Sequence, residues 1–180
     1  MQHIPSHSKP FPIRRPRRNR LTPVIRELIQ ETHLLPSQLI APLFVIEGSK
    51  NKTSISSMPG VFRYTIDLLI EEIHLLYRLG IRTINLFCMV TADLKDAVGS
   101  EAIRRGNLLQ RAVSEIKKAI PHVCIMVDIA LDPYTDHGHD GIVNEDNEID
   151  NDLTLPVLAQ MSILASEAGA DIVAPSDMMD

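Results

Sequence analysis

Apolar positions in this chain fall into two alternating patterns: short solid runs and longer stretches with helical spacing. The solid runs are 40–47 (IAPLFVIE), 83–90 (TINLFCMV), 123–131 (VCIMVDIAL) and 171–175 (DIVAP). Each is too short for a stable helix and too apolar for a loop, which predicts buried strands. The clearest helical stretch is 65–80 (TIDLLIEEIHLLYRLG). Ile66, Leu69, Ile70, Ile73, Leu76 and Tyr77 recur there at three- and four-residue steps and so share one face. Thr65 is its predicted N-cap, and Gly80 ends it. Further helices are predicted over 23–33, opening on Pro23, over 108–120, and over 155–168, closed by Gly169. Residues 48–60, 91–106 and 132–152 are polar, rich in turn formers, and read as loops.

Strands that are apolar along their whole length, alternating with helices, predict a parallel sheet covered by helices. Doubly wound sheets and (β/α)₈ barrels share this signature. No glycine-rich phosphate turn follows any of the strands, which argues against the nucleotide-binding version. Polar residues gather where the strands end: Thr91 and Asp93, Asp128 and Asp132, Ser176 and Asp177. Parallel α/β proteins place their active sites at that end. Four strands make half of an eight-stranded barrel, which typically takes ~250 residues. An open half would leave two unpaired edges and an uncovered inner face. The expectation is therefore a truncated barrel, prone to associate through that exposed surface.

The chain has 180 residues, 44% of them hydrophobic, enough for one buried core. No apolar run approaches the ~18–20 residues of a membrane span, so no membrane partner is expected. The net charge of −5 conceals an asymmetry. Residues 1–20 carry Lys9, Arg14, Arg15, Arg17, Arg18 and Arg20 and no acid, whereas residues 121–180 carry thirteen acids and no Lys or Arg. The basic segment lacks interleaved aromatics that would stack on bases, so residues 1–22 read as an extended arm that packs on an acidic surface, not as a nucleic-acid binder. Residues 23–180 form the body. The first residues lack the apolar core of a signal peptide. Cys88 and Cys124 are isolated in strand-like runs and read as buried, unpaired thiols. A cytoplasmic location is expected.

The chemistry is concentrated in 128–141 (DIALDPYTDHGHDG), which packs four Asp, two His and two Gly into fourteen residues. Asp128 and Asp132 would end a strand, with His137, His139 and Asp140 on a glycine-hinged loop above it. Such a cluster can hold a metal, shuttle protons, or both. A solvated acidic loop is the plain alternative; the strand-end placement favours function.

That segment resembles the metal region of the porphobilinogen synthases (δ-aminolevulinate dehydratases). The resemblance extends, in the family's order, through RPRRNR, IAPLFVIEG, SMPGVFRYTIDLL, LKDAVGSEA and DIVAPSDMMD, from Arg15 to Asp180. It implies the N-terminal portion of a (β/α)₈ barrel whose arm wraps a neighbouring subunit in an octamer-type homo-oligomer. It implies tetrapyrrole synthesis: condensation of two δ-aminolevulinate molecules to porphobilinogen through Schiff bases on two lysines. Those lysines have no counterpart here, because the last lysine is Lys118. The 180 residues alone are expected to be inactive.

By resemblance, Asp128 matches an aspartate beside the lysines that could help in proton transfer, and Ser176 a serine of the same site. Zinc-dependent members place cysteines where this chain has Ala130, Asp132 and Asp140. Carboxylates suit Mg²⁺ and thiolates suit zinc, so the chain resembles the aspartate-rich magnesium branch, with zinc disfavoured and Ala130 leaving one ligand position blank. His139 matches a histidine used at a second metal site in some members. After GSEA the chain departs from the family's usual Tyr-Asn-Pro-Asp turn with Ile103-Arg104-Arg105-Gly106-Asn107. Two other readings accompany the enzyme: a non-catalytic assembly subunit that keeps the arm and half-barrel, and a metal-binding module built on the Asp/His loop.

Overall fold

The computed structural model describes residues 16–177 and 179. The start of the predicted arm, with Lys9, Arg14 and Arg15, lies outside them. The chain divides into two compact units at Leu34/Leu35, later than the boundary expected after residue 22. In the first unit, a 3₁₀ turn at Pro16–Arg20 precedes helix α1 (Pro23–Leu28). Thr22 caps α1 by accepting from the Ile25 N–H at 3.2 Å. The helix stops well short of the predicted residue 33, and none of its residues is buried. Its apolar residues Val24 and Leu28 stay exposed, and so short a helix with nothing buried has little to extend it.

The second unit is a six-stranded sheet in the order β2-β3-β1-β4-β5-β6, where β1 is Ile40–Val45, β2 Lys52–Ser54, β3 Phe62–Tyr64, β4 Thr83–Cys88, β5 Cys124–Ile129 and β6 Ile172–Pro175. Strands β1, β4, β5 and β6 are the four predicted ones, and they lie side by side in chain order, all parallel. A doubly wound sheet reverses its strand order at a switch point. Among these four strands no reversal occurs, as in the winding of a barrel, and the three-residue β3 lies on the other side of β1.

The helices are α2 (Ile66–Arg78), α3 (Leu108–Ala119) and α4 (Asn151–Ala168). Their apolar faces (Leu69 and Ile73; Ala112, Val113 and Ile116; Leu158, Met161 and Ala165) pack on one side of the sheet. That side presents Leu43 and Val45, Ile84 and Leu86, and Ile125, Val127 and Ile129, each at most 7% exposed. Strand residues on the other side, including Phe44, Asn85, Phe87 and Met126, are only half-buried. The strands therefore alternate between a sealed outer face and a partly open inner face, as in half of a barrel.

Three local features depart from the sequence reading. Residues 48–60, read as a loop, contain β2, which pairs antiparallel with β3 while β3 pairs parallel with the end of β1. Helix α4 begins at Asn151, four residues early, because Asp150 caps it by accepting from the Leu153 N–H at 2.9 Å; Pro156 then sits inside the helix. Thr65 precedes α2 but makes no cap bond; its hydroxyl donates to Asp67 at 2.5 Å and accepts from the Asn51 N–H. Of the two thiols, Cys88 is buried and Cys124 only half-buried.

The divergent segment 103–107 closes on itself. Glu101, buried, holds Arg104 through two bonds of 2.5 and 2.6 Å. Asn107, 2% exposed, donates to the carbonyls of Glu101 and Ala102 and caps α3 by accepting from the Gln110 N–H. Arg105 reaches Glu167 of α4. The turn is thus satisfied by its own side chains.

Candidate functional site

At the C-terminal ends of β1, β4, β5 and β6 the inner face forms a concavity of about 500 Å³. Phe44 and Phe87 make its apolar floor, with stacked rings 5.2 Å apart. Asn85 lies on the same floor with its Oδ1 buried and unpartnered. Asp128, Asp132, Asp140, Ser176 and Asp177 form the polar rim.

Parallel pairing explains how residues so far apart converge. Asp128 and Ile129 of β5 pair with Ala174 and Pro175 of β6, and the Ser176 N–H donates to Ile129 O at 3.3 Å. The chain leaving β6 is thereby laid beside the chain leaving β5. Asp177 then accepts from the Leu131 N–H at 3.1 Å. The loop after β5 folds back over the strand ends. The Tyr134 and Thr135 N–H groups both donate to Leu131 O, and the buried Thr135 hydroxyl donates to His139 O at 3.1 Å. The loop's far end is fixed by Thr154, fully buried, which accepts from the Ile142 N–H at 3.0 Å and donates to Asp150 O at 2.6 Å.

Asp132, Asp140 and Asp177 each offer a carboxylate oxygen within 4.8 Å of the others. Asp132 and Asp140, read from the sequence as metal ligands, thus lie together with Asp177, and His139 is not in that group. The His139 ring stacks loosely beside His137 at 5.4 Å, and its backbone N–H donates to His137 Nδ1. Ala130, at the blank ligand position, is buried at 3% exposure. Asp128 and Ser176 line the same rim, where the Ser176 hydroxyl opposes the effect of burial on the Asp128 carboxyl. Sequence reading placed Asp177 at a strand end without making it a ligand. It lies 37 residues from Asp140, and only the β5–β6 pairing signals their contact.

Crowded acids over an apolar floor resist ionisation. Burial raises the Asp128 carboxyl, the Ser176 hydroxyl pulls it back, and the Asp140 charge raises it further. Burial likewise raises Asp132, reinforced by the charges of Asp140 and Asp128 and opposed by Lys95. Asp177 moves furthest: burial pushes it up to about 6, against the Leu131 N–H bond and with the charges of Asp140, Asp132 and Asp128 adding to the rise. Beneath the rim, burial pushes the Cys88 thiol up to about 12, so it stays protonated. The Tyr134 hydroxyl beside it is fully buried without a regular hydrogen-bond partner.

An all-oxygen donor set of three carboxylates suits a hard divalent cation such as Mg²⁺ and lacks the thiolates that would favour zinc. An Asp128 carboxyl shifted upward by burial, with the Ser176 hydroxyl near it, suits general acid–base work. Strand ends that converge on acids above an apolar floor have the placement of an active site in a (β/α) barrel, and the class of the fold is that of half such a barrel.

The chain belongs to the delta-aminolevulinic acid dehydratase family, whose profile matches residues 13–180. It is 53% identical over 167 residues to the delta-aminolevulinic acid dehydratase of Chlamydia pneumoniae, covering 93% of this chain and 50% of that protein. It is 42% identical over 166 residues to the enzyme of that name from Bacillus subtilis, covering 92% of this chain and 50% of the relative. The crystal structure of the Toxoplasma gondii dehydratase (porphobilinogen synthase), in complex with the reaction product porphobilinogen, superposes with a TM-score of 0.88 at 43% identity. That match covers 94% of this chain and 48% of the solved chain. The chain thus spans about half the length of the relatives it matches.

Proposed function

We propose that this chain supplies the carboxylate-bearing half of a porphobilinogen synthase site, which condenses two δ-aminolevulinate molecules to porphobilinogen in tetrapyrrole synthesis. The observation that carries the reading is the convergence of Asp128–Ser176 and of Asp132, Asp140 and Asp177 on one concavity of a family barrel. In this reading Asp128, whose carboxyl burial shifts upward, exchanges a proton with the reacting amine or carbonyl, and the Ser176 hydroxyl orients it. Asp132, Asp140 and Asp177 would hold Mg²⁺. The ion would supply a fixed positive charge against which carbonyl oxygen or water is polarised.

The Schiff-base amines come from elsewhere. Among the described residues no lysine lines the concavity. Lys117 is committed to Asp171 at 2.6 Å and to Val123 O at 2.8 Å. The amines must be brought by a lysine-bearing segment set against the open inner face, within a homo-oligomeric cytoplasmic enzyme. No helix among the described residues is long and apolar enough to cross a membrane.

The test is complementation. The purified 180-residue chain is incubated with δ-aminolevulinate and Mg²⁺, alone and after co-folding with the lysine-bearing C-terminal half of the Chlamydia pneumoniae relative. Alone it should form no porphobilinogen and no borohydride-trapped adduct. The co-folded pair should turn over, and Asp128→Asn should lower that rate by about 10²-fold or more. Turnover by the chain alone, or a co-folded pair indifferent to Asp128→Asn, sinks the proposal.

A further inference from the structure

The loop that carries Asp132 and Asp140 is stitched to the loop after β4. The Asp96 N–H donates to Tyr134 O at 3.3 Å, and the Asp136 N–H donates to Asp96 O at 3.1 Å, forming an isolated parallel bridge between Asp96 and Thr135. Asp96 also orders its own loop by accepting from the N–H groups of Val98 and Ser100. The stitch continues through His137. Its Nε2 lies 3.3 Å from Ala97 O, and its Nδ1 lies 3.1 Å from the backbone N of His139.

These two contacts determine where the ring proton sits. A backbone N–H can only donate, so Nδ1 must accept. A carbonyl oxygen can only accept, so Nε2 must carry the hydrogen. The Nδ1–H form would satisfy neither. His139 is then held at both ends: its N–H by His137 and its carbonyl by the buried Thr135 hydroxyl. Asp140 follows directly.

We infer that His137 is a positioning residue. With Nε2 donating and Nδ1 accepting, it ties the turn that presents Asp140 to the neighbouring loop, and so sets Asp140 relative to Asp132 and Asp177. Its consequence for cation binding rests on the ligand reading above; the latch itself does not.

Three variants separate the two bonds. His137→Ala removes both. His137→Asn keeps a short acceptor for the His139 N–H but cannot reach Ala97. His137→Gln extends an amide N–H toward Ala97 O. In the ¹⁵N-histidine-labelled 180-residue chain at about pH 8, where imidazoles are generally neutral, His137 should show a protonated Nε2 and a bare Nδ1. The His139 amide should exchange about tenfold or more faster in His137→Ala than in wild type, and His137→Asn should recover part of that protection. Mn²⁺, as the probe, should bind about three- to tenfold more weakly to His137→Ala, with His137→Gln recovering most of the loss. An Nδ1–H tautomer, or equal His139 exchange in wild type and His137→Ala, overturns the latch. Equal Mn²⁺ affinity in wild type and His137→Ala overturns its positioning role. If the wild type binds no Mn²⁺ while tautomer and protection are as stated, the cation reading falls and the latch stands.

Discussion

Asp177→Asn should make the metal-free protein more stable at neutral pH while weakening its response to divalent cations. The Asp177 carboxyl is pushed from an ordinary 3.8 up to about 6 by burial and by three neighbouring carboxylates. The folded state thus binds this proton more tightly than the unfolded chain does. Below 3.8 both states are protonated and nothing is lost. As pH rises from 3.8 through about 6 the unfolded chain ionises first, and the folded state is progressively penalised, in full above about 6. At 1.36 kcal/mol per pH interval of one, the ceiling is about 3 kcal/mol. Solvent at the rim screens the charges, and discounting for that leaves roughly 1–2 kcal/mol. Asparagine keeps an acceptor for the Leu131 N–H and removes the charge. Urea denaturation of both proteins at pH 4 and pH 7.5 should show the variant more stable by that margin at pH 7.5, with the gap closing at pH 4. Adding Mg²⁺ should raise the midpoint of wild type and leave the variant nearly unmoved, because a cation stabilises in proportion to its affinity for the folded state. A variant no more stable than wild type at pH 7.5, or a gap that does not depend on pH, would refute the reasoning.

Thr154→Val should destabilise by about 1–3 kcal/mol in the same denaturation assay, because it strands the buried Ile142 N–H, whereas Thr154→Ser should cost far less. Lys117→Met should lower stability by about 1 kcal/mol near neutral pH in the same assay and flatten the loss below pH 4, so that the two proteins converge in acid. The Asp171 carboxyl works against burial but is held below its usual range by Lys117 and the Ile125 N–H, so its contribution is present above the ordinary value and vanishes as pH falls through the lowered one. Gly141→Ala should cost about 1–3 kcal/mol by thermal melting, since a Cβ there would lie 2.7 Å from Ile149 Cγ2 and 3.0 Å from Thr154 Oγ1.

Helices α2 and α3 were legible because their apolar residues recur in register with the helical turn and each has a single sheet to cover. The four parallel strands were legible because continuous apolar runs have few other uses. Strand β2 was not: Lys52, Thr53 and Ser54 are polar and exposed, and main-chain pairing to β3 plus the Lys52 ammonium over the Phe62 and Tyr64 rings hold them. Pairing energy of that kind leaves no hydrophobic pattern. The start of α4 was misplaced because Pro156 looks like a first-turn residue, whereas the cap at Asp150 governs. In the site, Asp128, Asp132, Asp140 and Ser176 could be named from motifs that sit close in the chain or at strand ends. Asp177 as a partner of Asp132 and Asp140, and His139 as a residue turned to loop packing, depend on how two loops fold over one another. Local spacing carries no record of that.

One structural cause lies behind both the site and its instability. Parallel pairing of β5 with β6 in this register delivers acids from both strand exits to the same rim, and the alternation along β1 and β4 places Phe44 and Phe87 beneath them. Acids above an apolar floor repel one another and resist ionisation, which disfavours the metal-free folded state but suits a cation or an amine. The half-exposed inner face that admits such a ligand is also apolar surface seeking cover. Stabilising the 180-residue chain and completing the site are therefore the same event in this reading: whatever segment docks on the inner face removes the exposed aromatic floor from water and brings positive charge to the rim. Co-folding with the lysine-bearing half should accordingly raise the melting temperature of wild type more than that of Asp177→Asn, because only wild type carries the full repulsion to be relieved. Equal gains for the two would separate packing from electrostatics and assign the stabilisation to the covered floor alone.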